Sequence, residues 1–308
     1  MKIVVTGTRG IPGIQGGVET HCQELYPLIA DEQHEIIVIR RPNYAVDRSV
    51  QIYKQVAIKD ISAPRSKHLE AFVHTFKAVI YARKVKADIV HIHAVGPAPV
   101  ARLLGMKVVI THHGPDYDRD KWGRFAKWIL CMGERAGVYY ANHIIVISEH
   151  IRQIIYHQYS AKRNVTLIHN GVNVPTRVIG TEYLESLDLT EYGYVLAVGG
   201  FIKGDKLAQL YTYAKVFVLP STHEGLPIAL LEAMSYGCPV LASDIPANKE
   251  IGLPDECYFR NGDFTNLLHT LKEKIEISQS KRITYDLSSY SWHHIAQQTK
   301  EIYDSLIV

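Results

Sequence analysis

Lys2-Ile3-Val4-Val5-Thr6-Gly7-Thr8-Arg9-Gly10-Ile11-Pro12-Gly13-Ile14-Gln15-Gly16-Gly17-Val18-Glu19-Thr20 joins a β-branched run, a glycine-rich turn and the start of a helix. A run that is apolar almost throughout suits a strand covered on both faces. Similar runs follow at residues 35–40, 50–56, 88–93, 107–112 and 143–148, with helical patterns between them. Over residues 68–85, Leu69, Phe72, Val73, Phe76, Val79 and Ile80 take the i, i+3, i+4 spacing expected of one buried helix face. Strand–helix alternation predicts parallel strands with right-handed crossovers, a doubly wound α/β sheet.

The pattern restarts after residues 165–169 and the turn-rich joint Asn170-Gly171-Val172-Asn173. Strands at 193–198, 216–219, 239–243 and 257–259, with helices at 205–214, 227–236 and 264–278, predict a second Rossmann-like domain, shorter than the first. The expected division is 1–170, 171–290 and a closing segment 291–308 with a last helix over 292–306. The fold class is thus α/β with two Rossmann-like domains, the second shortened.

The 308 residues are 47% hydrophobic and 21% charged, which excludes a disordered chain, a collagen-like repeat and a disulfide miniprotein. A net charge of +3 with no clustered basic stripe speaks against nucleic acid as a partner. Cys22, Cys131, Cys238 and Cys257 form no C-x-x-C pair, so reduced thiols are expected rather than a metal or disulfide framework. No apolar run reaches the roughly 18 residues a membrane span needs. The opening run meets Gly7 too soon for a signal peptide. A cytoplasmic protein is expected, with contact at the inner membrane face left open.

A glycine-rich turn before a helix lets backbone N–H groups approach an anion or a sugar. The loop is too long for the G-x-G-x-x-G dinucleotide fingerprint. The second strand ends in Arg40-Arg41 where an NAD site wants an acid; arginines there suit an NADP 2′-phosphate, so an oxidoreductase reading stays open. His91-Ile92-His93 and His112-His113-Gly114-Pro115 sit at strand ends, where open α/β sheets bind ligands. His91 and His93 point to one strand face, but no carboxylate or cysteine is spaced to complete a metal site, and packing histidines are commoner. Asp116-Tyr117-Asp118 resembles a cation-holding D-x-D triplet, though acids at a helix start explain it as well. Residues 121–129, Lys-Trp-Gly-Arg-Phe-Ala-Lys-Trp-Ile, read either as an amphipathic helix with a solvated cationic face or as a surface for anionic lipid headgroups.

The most informative segment is Pro220-Ser221-Thr222-His223-Glu224-Gly225-Leu226-Pro227, running on through Glu232 to Gly237. Pro227 suits a helix start and Gly237 its stop. Glu224 then precedes the helix, and Glu232 lies up to about 12 Å along its axis. The N–H groups of Ile228 and Ala229 have no acceptor inside the helix and point at whatever binds above it. Two carboxylates beside a helix N-terminus suit a polyol joined to phosphate.

With these residues in hand, the chain resembles glycosyltransferase family 4 and its two-domain GT-B fold, especially bacterial rhamnosyl and cell-surface polysaccharide transferases. The likeness rests on the glycine-rich opening through Gly16-Gly17-Val18-Glu19-Thr20, on Thr111-His112-His113-Gly114, on Asn170-Gly171-Val172-Asn173 and on Glu224-x7-Glu232. The resemblance implies a nucleotide-diphosphate sugar as co-substrate bound by the second domain, and a glycan or lipid-linked acceptor bound by the first. It implies a retaining hexosyltransferase reaction with no metal or other cofactor. His113 and Glu224 would face the transferring sugar, Glu232 would hold the ribose diol, and Gly16 and Gly17 would approach the diphosphate. The last helix would pack back on the first domain.

In the family, the strand matching residues 194–199 is followed by an arginine and then a lysine that neutralise the donor diphosphate. Here Val198-Gly199-Gly200-Phe201-Ile202-Lys203-Gly204 runs directly into a helix, with Lys203 and Lys206 as nearby cations. Only four strands are expected in the second half; at roughly 30 residues per βα unit, about 60 residues of a full domain are missing. A glycosyltransferase-like binding or scaffold protein is therefore the second reading.

Overall fold

The computed structural model describes residues 1–64, 70–93, 98–114, 123–159, 164–175, 180–199, 202, 204–277 and 282–307. They form two compact units, Met1–Asn170 with Trp292–Val308, and Gly171–Ser291.

The first unit holds an eight-stranded sheet of β1 (Lys2–Thr6), β2 (Glu35–Arg40), β3 (Ile52–Tyr53), β4 (Val56–Asp60), β5 (Ile89–Ile92), β6 (Lys107–His112), β7 (His143–Val146) and β8 (Val165–Leu167). The order is β3-β4-β2-β1-β5-β6-β7-β8. β1 pairs with β2 on one side and β5 on the other, so the strand order reverses there and opens a crevice at the carboxyl ends. Its helices are α1 (Gly17–Ile29), α2 (Glu70–Lys84), α3 (Ala98–Leu103), α4 (Arg124–Tyr140) and α5 (Glu149–Tyr159), with a closing helix at Trp292–Ile307. That closing helix lays Trp292, Ile295, Ala296, Ile302 and Tyr303 against Cys22, Leu25, Tyr26 and Ile29 of α1 in one core cluster.

Two expectations need correction. The run at 50–56 is not one strand but an antiparallel hairpin, β3 to β4, turned at Lys54 (φ 44°) and Gln55 (φ 71°). Two consecutive positive φ values define the turn that matches strand twist, yet Lys-Gln is not the Asn-Gly or Asp-Gly that would announce it. On α2 the buried residues are His74, Thr75, Ala78, Val79 and Ala82, while Phe72, Phe76 and Ile80 are 59%, 41% and 48% exposed. Small Ala78 and Ala82 let the helix lie close to its neighbours, so the bulky stripe is turned outward.

The second unit holds β9 (Val195–Leu196), β10 (Val216–Leu219), β11 (Val240–Ser243) and β12 (Tyr258–Phe259), all parallel in the order β12-β11-β10-β9. Its helices are α6 (Glu182–Glu185), α7 (Asp205–Tyr213), α8 (Ile228–Ser235), α9 (Pro246–Lys249) and α10 (Phe264–Ile277), which makes the closing helix of the first unit α11. Val216, Val218, Leu241 and Phe259 pack against Leu267, Leu271 and Ile275 of α10. Each such buried aliphatic contributes about 1.5–3 kcal/mol. α8 stops at Gly237, whose φ of +68° and close approach to the Ile283 carbonyl disfavour a side chain. Among the described residues no helix is long and apolar enough to cross a membrane.

Candidate functional site

In the first unit the site begins at the loop between β1 and α1. Glu19, buried in the first turn of α1, accepts hydrogen bonds from the Arg9 backbone N–H at 2.9 Å, Arg9 Nε at 3.2 Å and Thr8 Oγ1 at 3.1 Å. Arg9 Nη2 donates to Glu19 Oε2 at 2.8 Å and to the Gln15 carbonyl. Burial works against the charge on Glu19, but the Arg9 bonds outweigh it and hold the carboxyl below its usual range. Gly16, at φ +140°, is the N-cap of α1, and Gly17 is its exposed first residue. The first-turn amides of α1 therefore lack intrahelical acceptors.

Arg40 is spent elsewhere. Its Nε donates to Asp60 Oδ1 at 2.7 Å, its Nη2 to Asp60 Oδ2 at 3.1 Å and its Nη1 to the Asp47 carbonyl at 3.0 Å, with the side chain 1% exposed. A phosphate has no access to that guanidinium, so the NADP reading loses one of the two arginines it rested on.

His113 follows the carboxyl end of β6 and is partly exposed. Behind it lies a buried aromatic cluster drawn from four elements. His93 Nδ1 is 2.9 Å from His113 Nε2, and His93 Nε2 is 2.5 Å from the Tyr26 hydroxyl of α1. That hydroxyl is also 2.9 Å from His91 Nδ1, which in turn is 2.5 Å from the Tyr303 hydroxyl of α11. His91 Nε2 meets Thr111 Oγ1 at 2.7 Å. His21 of α1 sets its ring edge-on to His113 at 5.1 Å and bonds Asn170 Oδ1 through Nδ1 at 3.0 Å. Burial lowers His21 to about 4 and His91 to about 3, and drives His93 and His113 well below the ordinary histidine value. The cluster is neutral at pH 7. Among the described residues no group of His, Cys, Asp or Glu is arranged to hold a metal ion. A cavity of about 70 Å³ adjoins His113, walled by Val18, Ile110, Leu130, Gly133 and Val138.

In the second unit, Glu224 lies on the connection from β10 to α8 and accepts from Ser221 Oγ at 2.7 Å. The carboxyl ends of β10 and β11 are tied together: Ser243 Oγ donates to the Ser221 carbonyl at 2.5 Å, and Asn248 Nδ2 to the Ser243 carbonyl at 2.8 Å. Pro227 is the N-cap of α8 rather than its first helical residue, and Leu230 and Leu231 return to the Pro227 carbonyl. The amides of Ile228 and Ala229 precede the first intrahelical bonds. Glu232 sits on α8 and accepts from the Tyr211 hydroxyl at 3.3 Å. Lys206 stands over the Tyr183 ring at 5.0 Å, while Lys203 lies outside the described residues. So do Asp116, Asp118, Lys121 and Trp122; the rest of the basic aromatic stretch opens α4.

Residues 15–175 match Glycosyltransferase Family 4, and residues 161–270 match Glycosyl transferases group 1. The first match spans more than half of the chain, which belongs to glycosyltransferase family 4. An uncharacterized glycosyltransferase of Methanocaldococcus jannaschii is 25% identical, with 98% of each chain covered. That alignment runs over 394 positions, more than the 308 residues present here, so the relative carries segments this chain lacks. Among solved structures, a sucrose-phosphate synthase from Thermosynechococcus elongatus has a TM-score of 0.81 at 18% identity, covering 99% of this chain and 98% of its own. The Anabaena protein HepE, in complex with UDP and glucose, has a TM-score of 0.76 at 15% identity, covering 99% of this chain and 100% of its own. These likenesses establish the GT-B fold.

Sequence reasoning missed Tyr26, Tyr303 and the Arg9–Glu19 pair. The first two carried one usable signal, a tyrosine on the same α1 face as Cys22, Leu25 and Ile29. Glu19 was visible only as part of the glycine-rich opening motif.

Proposed function

We propose that this chain moves a hexose from a nucleotide-diphosphate donor to a glycan or lipid-linked acceptor, with retention at the anomeric carbon, in the building of cell-surface polysaccharide. The observation that carries the reading is the β10–α8 connection: a carboxylate held by Ser221, a helix N-terminus with open amides, and a second carboxylate on that helix. The Ile228 and Ala229 amides take the diphosphate and Glu232 takes the ribose diol. The family resemblance gives Glu224 and His113 as hydrogen-bonding partners of the transferring sugar, and the Gly16–Gly17 amides as partners of the diphosphate. Preorganised donors of this kind stabilise charge as it develops on a leaving group.

Proton bookkeeping supports the reading of retention. With its basicity lowered by burial, His113 is a poor acceptor for the incoming hydroxyl's proton. The acceptor oxygen forms its bond to C1 as the C1–O bond to the diphosphate breaks, and the proton passes to the departing phosphate oxygen on the same face. No metal or other cofactor is assigned to the step. The UDP and glucose bound by HepE make a uridine nucleotide the first donor to try. A hydrolysis and transfer screen over the common nucleotide sugars tests the reading, with the product anomer assigned by NMR. Release of nucleoside diphosphate with an inverted product removes retention; no release with any donor removes the enzyme.

Membrane contact belongs to the same reading. Phe72, Phe76 and Ile80 form an exposed stripe on α2 beside Lys77, Arg83 and Lys84, and α4 exposes Trp128 and Met132 with Arg124 and Arg135. Apolar residues among cations suit the surface of an anionic bilayer that carries a lipid-linked acceptor.

Two observations favour the scaffold reading: among the described residues the second unit's sheet has four strands, and Lys206 stands over the Tyr183 ring. A chain that binds nucleotide without turnover on any donor supports it.

A further inference from the structure

We propose that Tyr26 and Tyr303 are positioning residues that, through His91 and His93, fix His113 as the tautomer with its proton on Nδ1. This rests on the reading of His113 as a donor to the transferring sugar. The argument is one of proton counting. A neutral imidazole has one N–H and one lone pair, so each ring in the cluster donates once and accepts once. The phenols stay protonated, because burial raises both far above their ordinary value.

Taking the phenol as donor at this short contact, the Tyr303 hydroxyl, 2.5 Å away, gives its proton to His91 Nδ1. His91 then donates from Nε2 to Thr111 Oγ1 at 2.7 Å. With the Nδ1 lone pair of His91 filled, the Tyr26 proton is assigned to His93 Nε2 at 2.5 Å rather than to His91 at 2.9 Å or to the Tyr303 oxygen, which Tyr26 also meets. His93 therefore holds its own proton on Nδ1 and donates it to His113 Nε2 at 2.9 Å. His113 Nε2 is an acceptor facing inward, and its Nδ1–H remains for a substrate oxygen. Tyr26, His91, His93, Thr111 and Tyr303 are all buried, so water does not scramble the order. A buried polar chain of this sort is over-determined only while every member is paired.

The test is ¹⁵N NMR of histidine-labelled protein, in which protonated and unprotonated ring nitrogens have distinct shifts. In the wild type, His113 reads Nδ1–H. In Tyr26→Phe, His93 loses its donor and can turn its proton to Nε2, and His113 shifts toward Nε2–H. Tyr303→Phe gives a smaller shift the same way, because His91 then competes for the Tyr26 proton. In transfer assays both variants lower kcat at least fivefold while the donor KM stays within twofold. A wild-type His113 protonated on Nε2 overturns the assignment by itself, even if neither variant folds. So does an unchanged tautomer in either folded variant. A tautomer change with full kcat leaves the relay standing and removes His113 from the transfer step, which separates the two failures.

Discussion

Arg9 Nη2 reaches Glu19 Oε2 at 2.8 Å straight through the space that a side chain on Gly16 would fill. A Cβ there would stand 2.1 Å from the carboxylate oxygen and 2.3 Å from the guanidinium nitrogen. The glycine is thus required twice, by its φ of +140° and by the ion pair it admits. Gly16→Ala should break the pair and lower stability by about 2–3 kcal/mol, a typical sum of backbone strain and a lost buried contact. Urea melts measure this directly. A variant as stable as the wild type would mean the loop relaxes without cost.

Glu232 offers a sharper separation of binding from folding. Its partner Tyr211 is 1% exposed, so Glu232→Ala would strip the phenol of an acceptor as well as removing any ligand contact. Glu232→Gln keeps an acceptor oxygen and should leave the melting curve within about 1 kcal/mol. A ribose diol held by the carboxylate should lose roughly tenfold in affinity or more, since each factor of ten is about 1.4 kcal/mol. Calorimetric titration with nucleoside diphosphates gives the number. Equal affinities in wild type and variant would take the diol away from Glu232.

What the residues announced and what they hid divide along physical lines. Proline, glycine and β-branched runs speak locally, so the bounds of α8 between Pro227 and Gly237 and the end of β6 before His113 were legible. Packing choices are not local. Phe72 and Phe76 obeyed the buried-face spacing and still point outward, because Ala78 and Ala82 allow a closer approach. The Lys54–Gln55 turn uses residues with no preference for positive φ, so its hairpin had no signature. The position of β1 between β2 and β5 is likewise a property of the sheet rather than of any one run. Most hidden was the meeting of His91 with Tyr303, residues 212 apart in sequence, which α11 alone accomplishes.

The outward stripe on α2 has a consequence at membranes. If Phe72 and Phe76 enter the headgroup region, the protein should sediment with vesicles containing anionic phosphatidylglycerol and remain free of zwitterionic ones. Replacing both with serine should weaken binding at least about tenfold, given the roughly 2 kcal/mol available from burying each aromatic ring. Raising the salt should weaken the wild type as well, because the flanking cations act through a screened field. Vesicle binding that ignores lipid charge, or that survives the double substitution, would place the contact elsewhere.

The buried histidines, His74 of α2 among them, fix how the fold responds to acid. His21 and His74 are lowered to about 4 and His91 to about 3, with burial the largest cause in each. These folded-state values lie below the unfolded value of about 6.5, so between them the unfolded chain binds protons that the native chain refuses. The stability they support is complete above about pH 6.5 and is lost as pH falls toward the folded values. Each histidine held neutral should withdraw about 2 kcal/mol by pH 5, before carboxylates near their own range begin to contribute. Urea melts at pH 7.5 and pH 5 should therefore differ by several kcal/mol. His21→Gln, which keeps an amide donor for Asn170, should shrink that difference by one histidine's share. If the two melts coincide, the unfolded chain gains no protons over the native one, and the cluster titrates like exposed histidine.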